Sequence, residues 1–459
     1  MTRHSKAIVF VLIALALPAT YAGAQDAPKR LTLKDAIDLA LKQNVNVQVS
    51  ATQVDEAEGT RTRRLAALLP HASADALANL LKNNLSIEGL SFPGIPTTVG
   101  PFAYYDFRVS ASQSVIDRQA LHNWKASARE EEATRLSYQD TRDFVVREAA
   151  GFYLQSETAA AEVEAAQSRV ETSRVLEKLA TDQHDQGLAT AIDMVRSQVQ
   201  LARDEQTLLV AQNNFQTSLL ALARFLGMPP GTPLEPAEKL EFRHFDAPDI
   251  GQALPAALAA RDDYRSLISQ QQSLTEQEKA SHSRYLPTLA VNGNYGAAGR
   301  NFGTMPATGG IEGILSVTIF DRDRGGEKQE LESRAHRLKA QTDDLARGIE
   351  QDLRTAILDI HSTEQQVRVT QAGLDLARRE LALAEDRFRN GVADNIEVVT
   401  AQDSLASAQD DQIAATAQNA NARAALARSL GATEKNYQTY LGQAEPRGGA
   451  DNQQGVNIP

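Results

Sequence analysis

Cysteine is absent from all 459 residues, which excludes disulfide staples, thiolate metal sites and a lipid-carrying cysteine after leader cleavage. Proline is missing from 102 to 228 and again from 307 to 445, leaving two long windows in which a helix meets no breaker. Beyond residue 24 no run of about 20 uncharged apolar residues occurs, so a membrane helix is excluded and any insertion into lipid has to use strands. Positive charge is also short: 47 Lys and Arg face 59 Asp and Glu, a net −12 that argues against nucleic acid as a partner. The 8 histidines are scattered, and HExxH, GxxxxGK[ST] and GxSxG patterns are all missing. The expectation is a protein without catalytic residues, metal or cofactor.

What is present at the start is a leader. Arg3 and Lys6 precede an apolar run from Ala7 to Leu17, and Ala22-Gly23-Ala24 offers a cleavage site, so 1–24 reads as a signal peptide. The run is too short to span about 30 Å of hydrocarbon. Cleavage would remove Arg3 and Lys6 and take the charge from −12 to −14.

The remainder is written twice. Ala36, Leu41, Gln53, Leu69 and Pro70 recur as Ala253, Leu258, Gln270, Leu286 and Pro287 at an offset of 217. The offset then becomes 204: Asp117-Arg118 matches Asp321-Arg322, Gly187 matches Gly391, Ile192 matches Ile396, and ALARFLG at 221–227 matches ALARSLG at 425–431. Copy one therefore carries 13 additional residues between Pro70 and Asp117. The organisation expected is a first repeat over 25–228, a connecting segment over 229–249, a second repeat over 250–431 and a tail over 432–459.

Helices are expected at about 118–184 and 327–389, each followed by a second at about 190–226 and 394–430, with Gly187 and Gly391 at the joins. At 1.5 Å per residue the long ones reach roughly 100 Å. Heptad spacing of Leu201, Leu208, Phe215 and Leu222, of Leu331, Leu338 and Leu345, and of Leu374, Leu381 and Phe388 points to coiled-coil packing. Between the helices the period changes to two. Tyr105, Phe107, Val109, Ala111 and Val115 alternate with Asp106, Arg108, Ser110, Ser112 and Ser114, and Leu289, Val291 and Tyr295 alternate with Asn292 and Asn294. Leu315, Val317 and Ile319 are read as a further strand after a glycine-rich loop over 296–313, and His71 to Leu81 as the first, followed by a loop around 91–101. Each repeat then supplies one β-hairpin, at about 71–116 and 288–320. Four strands with one oily face cannot close on themselves, whereas three chains would supply about 12, enough for a barrel. A soluble helical scaffold capped by hairpins stays open as an alternative.

The opening LTLKDAIDLALKQN, the LLP and YLP turns, VIDR and IFDR after the hairpins, and RFRNGVADNIEVVTAQDSLASAQ at 387–409 resemble the TolC-type outer-membrane efflux proteins. The resemblance runs from about Leu31 to Ala432. It implies a mainly α protein with a small β part: a trimer whose strands build one shared transmembrane β-barrel and whose helices form a long coiled-coil α-barrel across the periplasm. It further implies an equatorial belt from 229–249 and the tail, an outer-membrane location among its lipids, and partnership with a periplasmic adaptor and an inner-membrane pump of RND or ABC type. The function expected is a passive exit duct of a tripartite efflux or type I secretion system. The alternative is a periplasmic adaptor or a poreless coiled-coil scaffold; an adaptor would show one hairpin between β-domains, not two equal copies.

The turns after Gly187 and Gly391 would form the periplasmic tip, and in the family the acid of the second copy faces the constricted entrance. Glu397 is then the foremost gate and selectivity candidate, with Asp193, Asp394 and Thr400 beside it. For Asp193 a helix-capping role is as good an account. The family pattern has a second acid where this chain has Thr400, and a tyrosine and arginine lock where it has Phe388 and Ala393; Arg387, Arg389 and Asp394 are the available substitutes. Pro70, Pro287, Asp117 and Asp321 mark the strand–helix junctions.

Overall fold

A computed structural model describes residues 28–89, 93–94, 96–390, 392, 394–431 and 433–441. The expected leader over 1–24, Gly391 and Ala393 at the second helix join, and the tail beyond 441 lie outside the described residues.

Each repeat is built on one long helix flanked end to end by two shorter ones. In the first, α3 (Arg118–Asp185, 68 residues) packs along α2 (Val45–Ala66) near its start and α4 (Ala191–Phe225) near its end. The pairs Arg61–Glu131 (α2–α3) and Ser173–Asp204 (α3–α4) mark the two halves. In the second, α7 (Asp323–Arg389, 67 residues) packs along α6 (Asp262–Ser283) and α8 (Asn395–Ser429), with Ser281 Oγ donating to Glu327 at 2.8 Å and Thr370 Oγ1 to Gln412 at 2.5 Å. At 1.5 Å per residue α3 is roughly 100 Å long. The repeats join where α6 buries Ser266, Ser269 and Ser273 against α3. Serines permit a close approach, and their hydroxyls return the favour of burial: Ser266 Oγ donates to Ala133 O at 2.8 Å and Ser273 Oγ to Ala126 O at 3.0 Å.

The main core lies at mid-rod. Here α1 (Leu33–Gln43), the middle of α3, the end of α4 and α9 (Thr433–Leu441) bury Ile37, Val145, Tyr153, Leu222, Leu226 and Tyr437 together. The second repeat has its own version, in which α5 (Ile250–Ala260) packs Ala253 and Ala257 on Ile349, Leu353, Ile360 and Leu426. A two-strand parallel strap, β1 (Lys29–Leu31) with β4 (Leu234–Pro236), ties the chain start to the inter-repeat segment, and Tyr153 OH donates to Leu31 O at 3.0 Å.

The hairpins form one four-stranded antiparallel sheet in the order β2 (His71–Asn84), β3 (Thr98–Ile116), β5 (Thr288–Gly299), β6 (Ala307–Ser316). Three expectations need correction. The glycine-rich stretch 296–313 is not one loop: β5 runs to Gly299 and β6 starts at Ala307, with the turn confined to 300–306. Its glycines are there for close strand approach, since a Cβ at Gly296 would lie 2.2 Å from Phe107 O and one at Gly309 2.8 Å from Asn294 O. Conversely Val317 and Ile319 are not strand, because β6 pairs only up to Ser316, opposite Thr288 where β5 begins. Likewise the 91–101 loop ends early, with β3 already running from Thr98 opposite Asn84.

Candidate functional site

The register sorts the sheet into two faces. Opposed pairs Val109↔Tyr295, Phe107↔Ala297, Leu289↔Leu315 and Ala76↔Phe107 put the apolar residues on one side. Asp75↔Arg108, Ser110↔Asn294 and Asn292↔Glu312 put the polar ones on the other, though Leu77 and Ile314 share that side. Along the two central strands β3 and β5 the polar face is the sheltered one: Arg108, Asp106, Asn292 and Asn294 are half-buried, while Phe107, Val109, Val291 and Tyr295 are exposed; in the outer strands Asp75 and Glu312 are exposed as well. A twisted sheet that shelters its polar side and bares its oily side is curved like a segment of barrel wall. Arg108 organises the concave side, bonding Asp106 at 3.1 Å and Asn294 Oδ1 at 3.0 Å, and Asn292 donates to Glu312 at 3.3 Å. On the convex side Phe302, from the turn, stacks on Tyr105 at 4.5 Å and approaches Phe107 at 5.6 Å between ring centroids. Among the described residues no helix is long and apolar enough to cross a membrane.

The strand–helix junctions are asymmetric. Pro70 and Pro287 each stand immediately before a strand, where a missing N–H is harmless. Asp117 caps α3, accepting from Ala120 N at 2.8 Å. Its duplicate Asp321 does not cap α7, which starts after Arg322; Asp321 instead takes Asp323 N at 3.0 Å and pairs with Arg284 at 3.3 Å.

At the opposite end of the rod, α3 closes on Gly187, whose φ of 74° is the left-handed conformation glycine adopts freely. Leu188 N reaches back to Gln183 O at 2.8 Å and Gly187 N to His184 O at 2.8 Å, a Schellman stop. In the second copy Val392 N reaches Arg387 O at 2.9 Å, the duplicate of the first bond.

The acids behind these turns play different parts. Thr190 donates to the Asp193 carboxylate through its hydroxyl at 2.5 Å and its N–H at 3.2 Å, so Asp193, with 13% of its side chain exposed, serves the helix start. The equivalent of Thr190 is Asp394, exposed and making no side-chain cap bond. Glu397 is left free of capping, 43% exposed, and lies 3.5 Å from Arg387. Thr400 is exposed and spends its hydroxyl on Ile396 O at 2.8 Å within its own helix. Arg389 pairs with Glu385 at 3.2 Å one turn back, and Phe388 is buried with Leu381, Ala384, Val398 and Ala401 on the packed face of the helix pair. One residue escaped the sequence reading: Asn395, buried, donates to Asp193 O at 2.7 Å and clamps the first turn of α8 to that of α4. The signal was available, since its duplicate position holds Ala191.

At mid-rod a groove of about 1240 Å³ opens between α3, α4 and the inter-repeat segment, lined by Ala160, Phe215, Leu219, Leu220 and Pro233 among others. Beside it Glu157 is buried, and that burial, with the charge of Glu238 added, pushes its carboxyl up to about 7.

A helical rod carrying a curved sheet with an oily convex face and a polar concave one defines a subunit of a membrane-embedded duct. The match to the family model described as outer membrane efflux protein, over residues 36–228 and 253–432, makes the assignment: the chain belongs to that family, whose members are outer-membrane channels. It is similar to the pyoverdine export outer membrane protein OpmQ of Pseudomonas putida, 22% identical over 87% of this chain and 85% of that protein, and to its namesake in Pseudomonas aeruginosa at 22% and the same coverage. Among solved structures the fold matches the outer-membrane channel OprN (TM-score 0.76, 18% identity, 87% of this chain and 89% of that one). It also matches the CmeC channel of Campylobacter jejuni (TM-score 0.77, 16% identity, 89% of each).

Proposed function

We propose that three copies of this chain form one passive efflux duct, a shared barrel in the outer membrane continued by a helical tunnel through the periplasm. The observation that carries this reading is the open curved sheet. Its outer strands β2 and β6 have no further partner among the described residues, and its apolar face is bare. Unpaired edges inside lipid cost several kcal/mol per backbone group, so β6 of one copy pairs with β2 of the next until the wall closes. No catalytic role is proposed. Transport energy comes from an inner-membrane pump, of RND or ABC type, and a periplasmic adaptor supplies the contacts that favour the open tip. The pyoverdine-exporting relatives favour a small solute as cargo over a folded polypeptide.

The gate is placed at the tip of the second repeat, with the Arg387–Glu397 pair holding α7 and α8 together at their turn. Three Glu397 carboxylates around the axis would favour cations at the mouth. In a planar bilayer, Glu397→Ala is expected to lower cation preference and raise the conductance of the purified channel. Unchanged selectivity and conductance would take Glu397 out of the gate, and a monomer extracted without detergent would take away the duct.

A further inference from the structure

In the belt, α8 carries two polar residues where the first repeat has apolar ones. Arg423 stands 204 residues after Leu219 and Asn419 after Phe215. The leucine and phenylalanine pack in a small apolar cluster, as their positions require. Arg423 is only 5% exposed, and its Nε meets no acceptor; Asn419 is 1% exposed, and its Oδ1 meets no donor. No ion pair or hydrogen bond of Arg423 occurs among the described residues, nor any of Arg243, which shares a cavity of about 30 Å³ with it. Burial and the like charge of Arg243 lower the Arg423 guanidinium to about 10, still cationic at neutral pH. A bond from Nε to Asn419 one turn away would satisfy two atoms and leave both charges uncompensated. A buried charge without a partner is costly enough that proteins pair it or bind its counter-ion.

We propose that Arg423 and Arg243 hold one small monovalent anion, chloride in the first instance, which fastens the inter-repeat segment to α8. The cavity has room for a monatomic ion or a water or two, since about 10–15 Å³ suffices for one water. Its lining explains the charge limit. Glu157, Glu238 and Glu241 occupy the same cavity, and their carboxyls disfavour a dianion such as sulfate or hydrogen phosphate. Leu33 of α1, Tyr153 of α3 and Leu441 of α9 also line the cavity, and Lys239 adds a third cation to its wall, so the ion would lie where α1, α3, α8, α9 and the inter-repeat segment meet. The site lies within one chain and does not depend on the number of copies in the duct.

The test uses the full-length protein in detergent, with sodium gluconate exchanged for sodium chloride at constant ionic strength. At about 100-fold excess over the dissociation constant, the unfolding temperature is expected to rise by roughly 3 °C. Arg423→Leu, which installs the residue of the first repeat, and Arg243→Gln should each abolish the chloride response while still folding. Crystals grown in bromide should show an anomalous peak between the two guanidinium groups. An equal chloride response in both variants, or bromide peaks only elsewhere, overturns the proposal. So does a chloride-independent protein that Glu241→Gln destabilises, because Glu241 would then be the counter-charge.

Discussion

Replacing Asp394 by threonine should pull Glu397 off Arg387. In the first repeat Thr190 donates twice to Asp193, at 2.5 and 3.2 Å, and the acid serves the helix start. Asp394 holds the same position in the second repeat but, being ionised, has no side-chain proton to donate, so Glu397 turns to Arg387 at 3.5 Å. Threonine there writes a T-x-x-E capping box, worth about 1 kcal/mol at an N-cap. The competing ion pair is exposed on both sides, 55% and 43%, and such pairs contribute roughly 0.2–1 kcal/mol. Two acids in one turn become one as well, which removes a small repulsion. The cap wins by a few tenths to 1 kcal/mol, so amides in the first turn of α8 should exchange about 2- to 5-fold more slowly. A second readout follows from the freed arginine: Arg387→Ala should alter single-channel conductance in the parent and alter it less in Asp394→Thr. Unchanged exchange in the first turn, together with the same Arg387→Ala effect in both backgrounds, would refute the competition between cap and ion pair.

Two further outcomes follow from the belt and the wall. The Glu157 carboxyl is held at about 7, above its ordinary 4.5, so the folded state binds this proton more tightly than the unfolded chain does. Its stabilising contribution is present below about 4.5 and is lost as pH rises through 7. Glu157→Gln should therefore gain on the order of 2 kcal/mol over the parent at pH 8 and almost nothing at pH 4, read from chemical denaturation. An identical pH profile would mean the carboxyl is not desolvated. On the sheet, Phe107→Asp sets a charge on the convex face at a cost on the order of 2 kcal/mol per chain, repeated in every copy. Heat-modifiable oligomer in the membrane fraction should fall sharply, whereas Arg108→Gln on the concave face should leave assembly intact and change ion preference only. Equal loss in the two variants would contradict the assignment of faces.

How far the chain could be read from its residues depends on how local the cause is. The long helices were legible because their limits are set nearby: proline-free windows hold them open and the turn at Gly187 stops α3 through bonds to residues within five positions. Strand alternation at 105–111 was legible for the same reason. The strands in 296–313 were not, since Gly296 serves close approach of β3, distant in sequence, and Gly309 that of β5 across the hairpin, and neither need shows in a glycine-rich run. At the tip, the sequence offered capping as an equal account of Asp193 and set Glu397 foremost as the gate candidate, without showing what divides them. Their separation into a paired acid and a capping acid depends on Thr190 against Asp394, and on Arg387 where the first repeat has Gln183. Arg423 was invisible, because an arginine on a helix rich in alanine reads as a solvated face until the packing around it is known.

A duplicated rod offers an internal control, because two copies of one fold face the same packing demands and differ where something else is demanded. Most paired differences are harmless exchanges. The informative ones break a local rule of helix chemistry in the second copy only. Asp394 takes the place of a threonine whose hydroxyl and N–H hold Asp193, and makes no such bond to Glu397, and Asn395 replaces Ala191 to reach across to α4. Arg423 replaces a leucine and leaves its buried Nε without an acceptor, and Asp321 takes the first N–H of α7 and Arg284 where Asp117 caps α3 through Ala120 N. At the cap and at the buried charge the first copy keeps the stabilising choice, and the second gives up about 1 kcal/mol at the cap or more at the charge, while Asn395 gains a bond to α4 that Ala191 lacks. The two copies have the same lengths in α4 and α8, 35 residues each, so the scaffold does not require these losses. A helix pair whose start is less firmly capped and whose tip is held by an exposed ion pair separates at lower cost than its twin. On the duct proposed above, that difference assigns the movement at opening to α7 and α8 rather than to α3 and α4.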